Sequence, residues 1–121
     1  MSAAAILVVE DDPANRDLIV EMLEADGYQV YQAKDGYTAI EMAQAERPRL
    51  ILMDLGLPGL DGIETTRRLK ADSALRSIPI VAVTTHSQLQ EPLARAAGCD
   101  GFLTKPINRS MLLGLVTRLI S

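Results

Sequence analysis

The chain predicts an α/β fold: one parallel sheet with helices on both faces. Two observations predict it. Five short apolar or β-branched segments alternate with helical patterns along the 121 residues. Three of the five, AILVVE, LILMD and IPIVAVT, are nearly continuous hydrophobic runs. Strands covered on both faces need that pattern, and right-handed crossovers then make the sheet doubly wound.

The elements follow in order. AILVVE, ending at Glu10, is the first strand. Asp12-Pro13 then supplies a cap and a proline at the first helical position. Leu18, Ile19, Met22 and Leu23 form that helix's apolar face, and Gly27 is placed to end it. YQVYQA is the second strand. A helix over Thr38 to Ala45 follows, with Ala39, Ile40, Met42 and Ala43 inward and Pro48 beyond its end. LILMD is the third strand, and the third helix spans Gly62 to Ala71. IPIVAVT is the fourth strand. GFLT is the fifth, and the last helix begins after Asn108 with Met111, Leu112, Leu115, Val116, Leu119 and Ile120 as its apolar set.

The fourth helical segment, HSQLQEPLARAAG, carries Pro92 in its middle. Proline lacks the N–H and clashes with the preceding turn. A regular helix is therefore expected only from about Glu91 or Pro92 to Ala97, with a loop before it.

Composition bounds the function. A net charge of −4 and no basic run argue against nucleic-acid binding, and they give no support to a membrane-surface role. One cysteine, Cys99, excludes an intrachain disulfide and a cysteine-rich zinc site. The start, MSAAAILVVEDD, has no basic n-region, and its apolar run is too short for a signal peptide or a span. A cytoplasmic protein is expected.

In open parallel sheets the working site lies beyond the carboxyl ends of the strands. There the chain places Glu10-Asp11-Asp12, then Asp54, then Thr84-Thr85, and finally Thr104-Lys105-Pro106. Asp12 reads as a helix cap rather than a ligand. The remaining carboxylates repel one another, and a hard divalent cation such as Mg²⁺ relieves that repulsion. Lys105 is expected to pair with Asp54 in the empty site and with a phosphoryl oxygen in the filled one. Thr84 offers a hydroxyl donor at the same edge. Together these groups could hold a phosphoryl group on a carboxylate, with attack by Asp54 giving an acyl phosphate.

VVEDD, LILMDLGLPGLDG, VAVTT and GFLTKPI stand in the order and spacing of a known family. The chain closely resembles the receiver domain of two-component response regulators, in particular stand-alone receivers of cell-cycle and polarity signalling. The resemblance implies a flavodoxin-like (βα)5 fold with strand order 2-1-3-4-5. It implies that Asp54 is the phosphoacceptor, and that Glu10, Asp11, Asp54 and the main-chain carbonyl of Gly56 hold Mg²⁺. Thr84 and Lys105 would contact the phosphoryl oxygens, and Phe102 would fill the switch-aromatic position. A cis peptide is expected at Lys105-Pro106. The donor would be a sensor histidine kinase or a histidine phosphotransfer protein. Output would pass through contact with a downstream protein, because residues 1–121 read as one receiver domain without an output domain. Gly56 is expected to leave the site unobstructed, and Pro58 and Asp61-Gly62 to fix the loop after Asp54.

The chain departs from the family pattern at Thr85, where a small residue is usual, and at His86, where members tune dephosphorylation. The interval from Thr84 to Phe102 is also one residue short. With Pro92 inside it, a shortened or irregular fourth helix is expected there, with an altered switch or partner choice.

Four other functions compete. A relay intermediate would use the same residues. A pseudo-receiver would bind partners without phosphorylation, and the intact set Glu10, Asp11, Asp54, Thr84 and Lys105 argues against it. An aspartyl-phosphate phosphatase needs a second carboxylate two residues after the nucleophile, where this chain has Gly56. A flavin or nucleotide module needs a phosphate-binding loop after the first strand, where Glu10-Asp11-Asp12 would repel phosphate. The family implies a signalling protein rather than an enzyme.

Overall fold

The computed structural model describes residues 4–120. Five strands and five helices alternate: β1 Ala5–Val9, α1 Pro13–Ala25, β2 Gln29–Ala33, α2 Gly36–Glu46, β3 Leu50–Asp54, α3 Gly62–Ala71, β4 Ile80–Thr84, α4 Ser87–Ala97, β5 Gly101–Thr104 and α5 Arg109–Ile120. The strands form one parallel sheet in the order β2-β1-β3-β4-β5. Fold class and strand order are those the sequence predicts. Among the described residues, no helix is long and apolar enough to cross a membrane.

Alternation along the strands divides the core between the two faces of the sheet. Ile6, Val8, Leu50, Leu52, Val81 and Val83 pack with Ile19 and Leu23 of α1 and with Leu112 and Val116 of α5. Leu7, Val9, Ile51, Met53, Ile80 and Ala82 pack with Ala39 and Ala43 of α2, Leu69 of α3 and Ala94 of α4. The unbroken apolar strands β1, β3 and β4 are the three central ones, which explains their composition.

The helix signals sit where the sequence places them, with local shifts. Asp12 caps α1, its carboxylate accepting from the Asn15 N–H, and Pro13 stands in the first turn. Asp35 caps α2 and Asp61 caps α3 in the same way, so α2 begins two residues before the expected Thr38. The inward face of α1 is Ile19, Val20 and Leu23, while Leu18 is half exposed. On α5, Met111 is likewise exposed.

The expectation for the fourth helix is overturned. Helix α4 is continuous from Ser87 to Ala97, with Pro92 inside it. Pro92 stands in the second turn, so its missing N–H removes one bond, the one to the Gln88 carbonyl. The Gln90 N–H still closes the first turn on the His86 carbonyl at 3.0 Å. Buried Ala94 and Ala97 anchor the rest, and Gly98 terminates the helix at a φ of 113°. One lost bond is outweighed by the apolar face and the cap.

Candidate functional site

Parallel strands deliver their carboxyl ends to one edge, and four strands contribute here. Glu10 follows β1, Asp54 ends β3, Thr84 ends β4 and Lys105 follows β5. These residues line a cleft of about 300 Å³ together with Asp11, Asp12, Asn15, Gly56, Thr85, His86 and Gln90. Of the residues expected to hold metal, contact phosphate, switch or tune the rate, Phe102 stands apart from this cleft. It is half-buried on β5, beside Ala82, against the core face that carries Met53 and Ala94.

Three carboxylates converge. One oxygen from each of Glu10, Asp11 and Asp54 lies within 4.8 Å of the others. Glu10 and Asp54 are buried, Asp11 is exposed, and the cluster thus opens to solvent on one side. Lys105 offsets part of the charge. Its ammonium donates to Glu10 Oε1 at 2.8 Å and lies 3.4 Å from Asp54 Oδ1. The expected Lys105–Asp54 pair is therefore present, but the shorter contact is to Glu10. Burial and the adjacent Asp54 carboxylate push Glu10 up to about 7, against the opposing pull of Lys105. Burial lowers the Lys105 pKa, but the Glu10 hydrogen bond and the charges of Asp54 and Glu10 outweigh it and raise it overall.

Asp54 is held in place by the loop that follows it. The Gly56 N–H donates to Oδ1 at 3.0 Å, and the Leu55 N–H is tied to the Val83 carbonyl. The residue that must be glycine for space is Gly62 rather than Gly56. A Cβ at Gly62 would overlap the Asp54 carbonyl oxygen and lie 2.8 Å from Leu55 Cα, whereas one at Gly56 would sit 3.7 Å from Asp54 Oδ1, an ordinary contact. The first turn of α3 therefore packs directly on the backbone of the acidic residue. Gly59, at a φ of 69°, turns the intervening loop.

On the opposite wall Thr84 is buried. Its hydroxyl donates to Gln90 Oε1 at 3.0 Å and accepts from the His86 N–H at 3.1 Å. The exposed residues Thr85 and His86 form the rim. The Lys105-Pro106 peptide is cis, as expected. Gln90 is the site residue the sequence did not reveal, since Pro92 led the helix to be started one residue too late to include it. Asn15, on the first turn of α1 beyond the Asp12 cap, also lines the cleft and had no distinguishing signal.

The fold that brings buried Asp54 beside two further carboxylates, one ammonium and a hydroxyl is shared with known proteins. The family described as response regulator receiver domain matches residues 6–117. The polar-differentiation response regulator DivK of Brucella anthropi is 39% identical over 105 residues, covering 86% of this chain and 85% of DivK. The receiver domain of the sensor histidine kinase PA1611 from Pseudomonas aeruginosa, solved with a magnesium ion in its active-site cleft, is 38% identical. It superposes with a TM-score of 0.92 and covers 98% of both chains. The chemotaxis protein CheY4 of Vibrio cholerae is 31% identical, with a TM-score of 0.91 over 98% of this chain and 99% of its own. A match across the sequence, the sheet order and the whole fold is conclusive: this chain belongs to the response regulator receiver domains, the phosphorylation-controlled switches of two-component signalling.

Proposed function

We propose that Asp54 is the phosphoacceptor of this receiver, and that Glu10, Asp11, Thr84 and Lys105 are the groups that make its phosphorylation possible. The convergence of Glu10, Asp11 and Asp54 within 4.8 Å carries this reading. An all-carboxylate donor set, open on the Asp11 side, suits a hard cation. Those three side chains and the Gly56 carbonyl would hold Mg²⁺ in this reading. When bound it neutralises oxygens of the incoming phosphoryl group.

The chain's own residues do the rest. Gly56 N–H and Lys105 fix the Asp54 carboxylate by its Oδ1 oxygen, which presents it to the cleft in one orientation. A carboxylate oxygen attacks the phosphorus of a phosphohistidine on a kinase or phosphotransfer protein. The new O–P bond forms as the N–P bond breaks, and the electron pair returns to the imidazole. Lys105 then exchanges its carboxylate contacts for a phosphoryl oxygen, and the Thr84 hydroxyl donates to another. Movement of Thr84, with Phe102 on the next strand, shifts the balance between two surface arrangements that a downstream protein reads. Thr85 and His86, at the rim, are placed to tune how long the phosphoryl group survives.

Intact mass after incubation with Mg²⁺ and acetyl phosphate tests this. The expected result is gain of one phosphoryl group, lost when Mg²⁺ is omitted and absent in Asp54→Ala. Gain of the same mass by Asp54→Ala would sink the assignment. A folded protein that takes no phosphoryl group from either acetyl phosphate or a phosphohistidine donor would instead be a pseudo-receiver.

A further inference from the structure

We propose that Gln90 is a positioning residue for the phosphorylation response: its side-chain oxygen holds the single proton of the Thr84 hydroxyl while Asp54 is unmodified, and gives it up when a phosphoryl group arrives. The proposal rests on the reading of Asp54 and Thr84 given above.

Proton counting carries it. A threonine hydroxyl has one proton to donate. Here the hydroxyl accepts from the His86 N–H, and its proton is directed at Gln90 Oε1, 3.0 Å away. The amide oxygen is only an acceptor, and so are the oxygens of a phosphoryl group. Gln90 and the phosphoryl group therefore compete for the same proton. Each must weaken the hold of the other, because coupling between two sites is reciprocal.

Release of Gln90 acts on α4 at its least secured point. The N-terminal residue that caps this helix, His86, makes no side-chain capping bond. The first turn closes through the Gln90 main-chain N–H, and the Gln90 side chain ties that turn back to β4. Two residues on, Pro92 leaves the Gln88 carbonyl without its helical donor. Leu89 and Leu93 flank Gln90 on this helix and are 77% and 53% exposed. A change in the first turn of α4 thus alters an apolar surface. The off arrangement is the one with the Thr84–Gln90 bond made.

The test uses beryllofluoride with Mg²⁺ as a stable mimic of a carboxylate-bound phosphoryl group. It compares the parent protein, Gln90→Met, which keeps the length and loses the amide, and Gln90→Ala, each with and without Thr84→Ala. Binding is followed by calorimetry and the α4 amides by NMR. Both Gln90 variants are expected to bind about 2- to 10-fold more tightly than the parent, the worth of one competing hydrogen bond. Their α4 amide resonances, without ligand, should already lie displaced toward the positions of the loaded parent. In the Thr84→Ala background the same substitutions should change neither. Unchanged affinity in the Gln90 variants, or an equal change with and without Thr84, overturns the latch while leaving the phosphoacceptor standing. If the parent itself shows no Mg²⁺-dependent binding, the reading of the site falls and the latch falls with it.

Discussion

Lys105 lies closer to Glu10 than to Asp54: its ammonium is 2.8 Å from the first carboxylate and 3.4 Å from the second. Both carboxylates are buried, so each needs a cation when no metal is bound. One ammonium therefore bridges the carboxylates at the carboxyl ends of β1 and β3.

Lys105→Met is expected to act twice. Transfer from acetyl phosphate should slow on the order of 100-fold, because a preorganised cation at the phosphoryl oxygens is lost. Loss of Lys105 also removes the pull that holds Glu10 down, so its carboxyl keeps a proton at neutral pH. Metal-free stability should fall by about 2 kcal/mol only at alkaline pH, where Glu10 ionises without its partner. Mass spectrometry and urea unfolding measure the two effects. A variant with parental transfer kinetics would remove Lys105 from the phosphoryl site.

The Glu10 carboxyl also gives the metal-free protein a pH dependence. Its pKa rises from an ordinary 4.5 to about 7 in the fold, mainly through burial and the neighbouring Asp54. The folded state thus holds this proton more tightly than the unfolded chain does. The corresponding stability is fully present below 4.5, and it declines as pH rises from there through about 7. In the presence of a chelator, Glu10→Gln should flatten that decline in Tm by a few degrees relative to the parent. Mg²⁺ should oppose the decline, since it requires the deprotonated carboxylate and binds more tightly as the pH rises. Parallel Tm profiles for parent and variant would contradict the assignment.

Gly56 and Gly62, which both follow Asp54 in the chain, should respond unequally. Gly62→Ala forces a methyl group into the Asp54 and Leu55 backbone, where no flexible side chain can yield. A loss of about 3 kcal/mol is expected in urea unfolding, with a matching loss of phosphoryl uptake from the displaced acceptor. Gly56→Ala meets only an ordinary contact and should cost less than about 1 kcal/mol. Equal costs at the two positions would contradict the close approach at Gly62.

Much of this was legible because each signal had a single physical cause. Asp54 closes an unbroken apolar run, and only a strand buried on both faces with its end at the working edge accommodates that. Asp12-Pro13 could hardly be anything but the start of a helix. What failed to show were relationships between segments distant in sequence. Nothing in LGLPGLDG says that Gly62, six residues after Gly56, returns to touch the Asp54 carbonyl. Leu18 matches the apolar spacing of α1 as well as Val20 does, and only the rotation of the packed helix decides which is inside. Gln90 was hidden by Pro92, whose local cost was visible while the packing of Ala94 and Ala97 that outweighs it was not.

Pro92 itself can be tested by removal. In α4 it withholds one main-chain hydrogen bond from the Gln88 carbonyl, and its ring crowds that carbonyl. Alanine restores the donor and is the better helix former by as much as about 3 kcal/mol in a helix interior. Part of the gain is lost because proline also stiffens the unfolded chain, by about 0.4–1 kcal/mol. Pro92 is exposed, so its replacement leaves no cavity. Pro92→Ala should therefore stabilise the protein by about 1–2 kcal/mol in urea. Amide exchange should slow at residues 88–92, where the ladder becomes continuous, and stay unchanged in α1 and α5. A helix with fewer openings at its first turns should also respond less to phosphorylation, giving smaller changes in α4 amide shifts on loading with beryllofluoride. Unaltered stability and unaltered exchange would mean that the second turn of α4 already carries no cost from its proline.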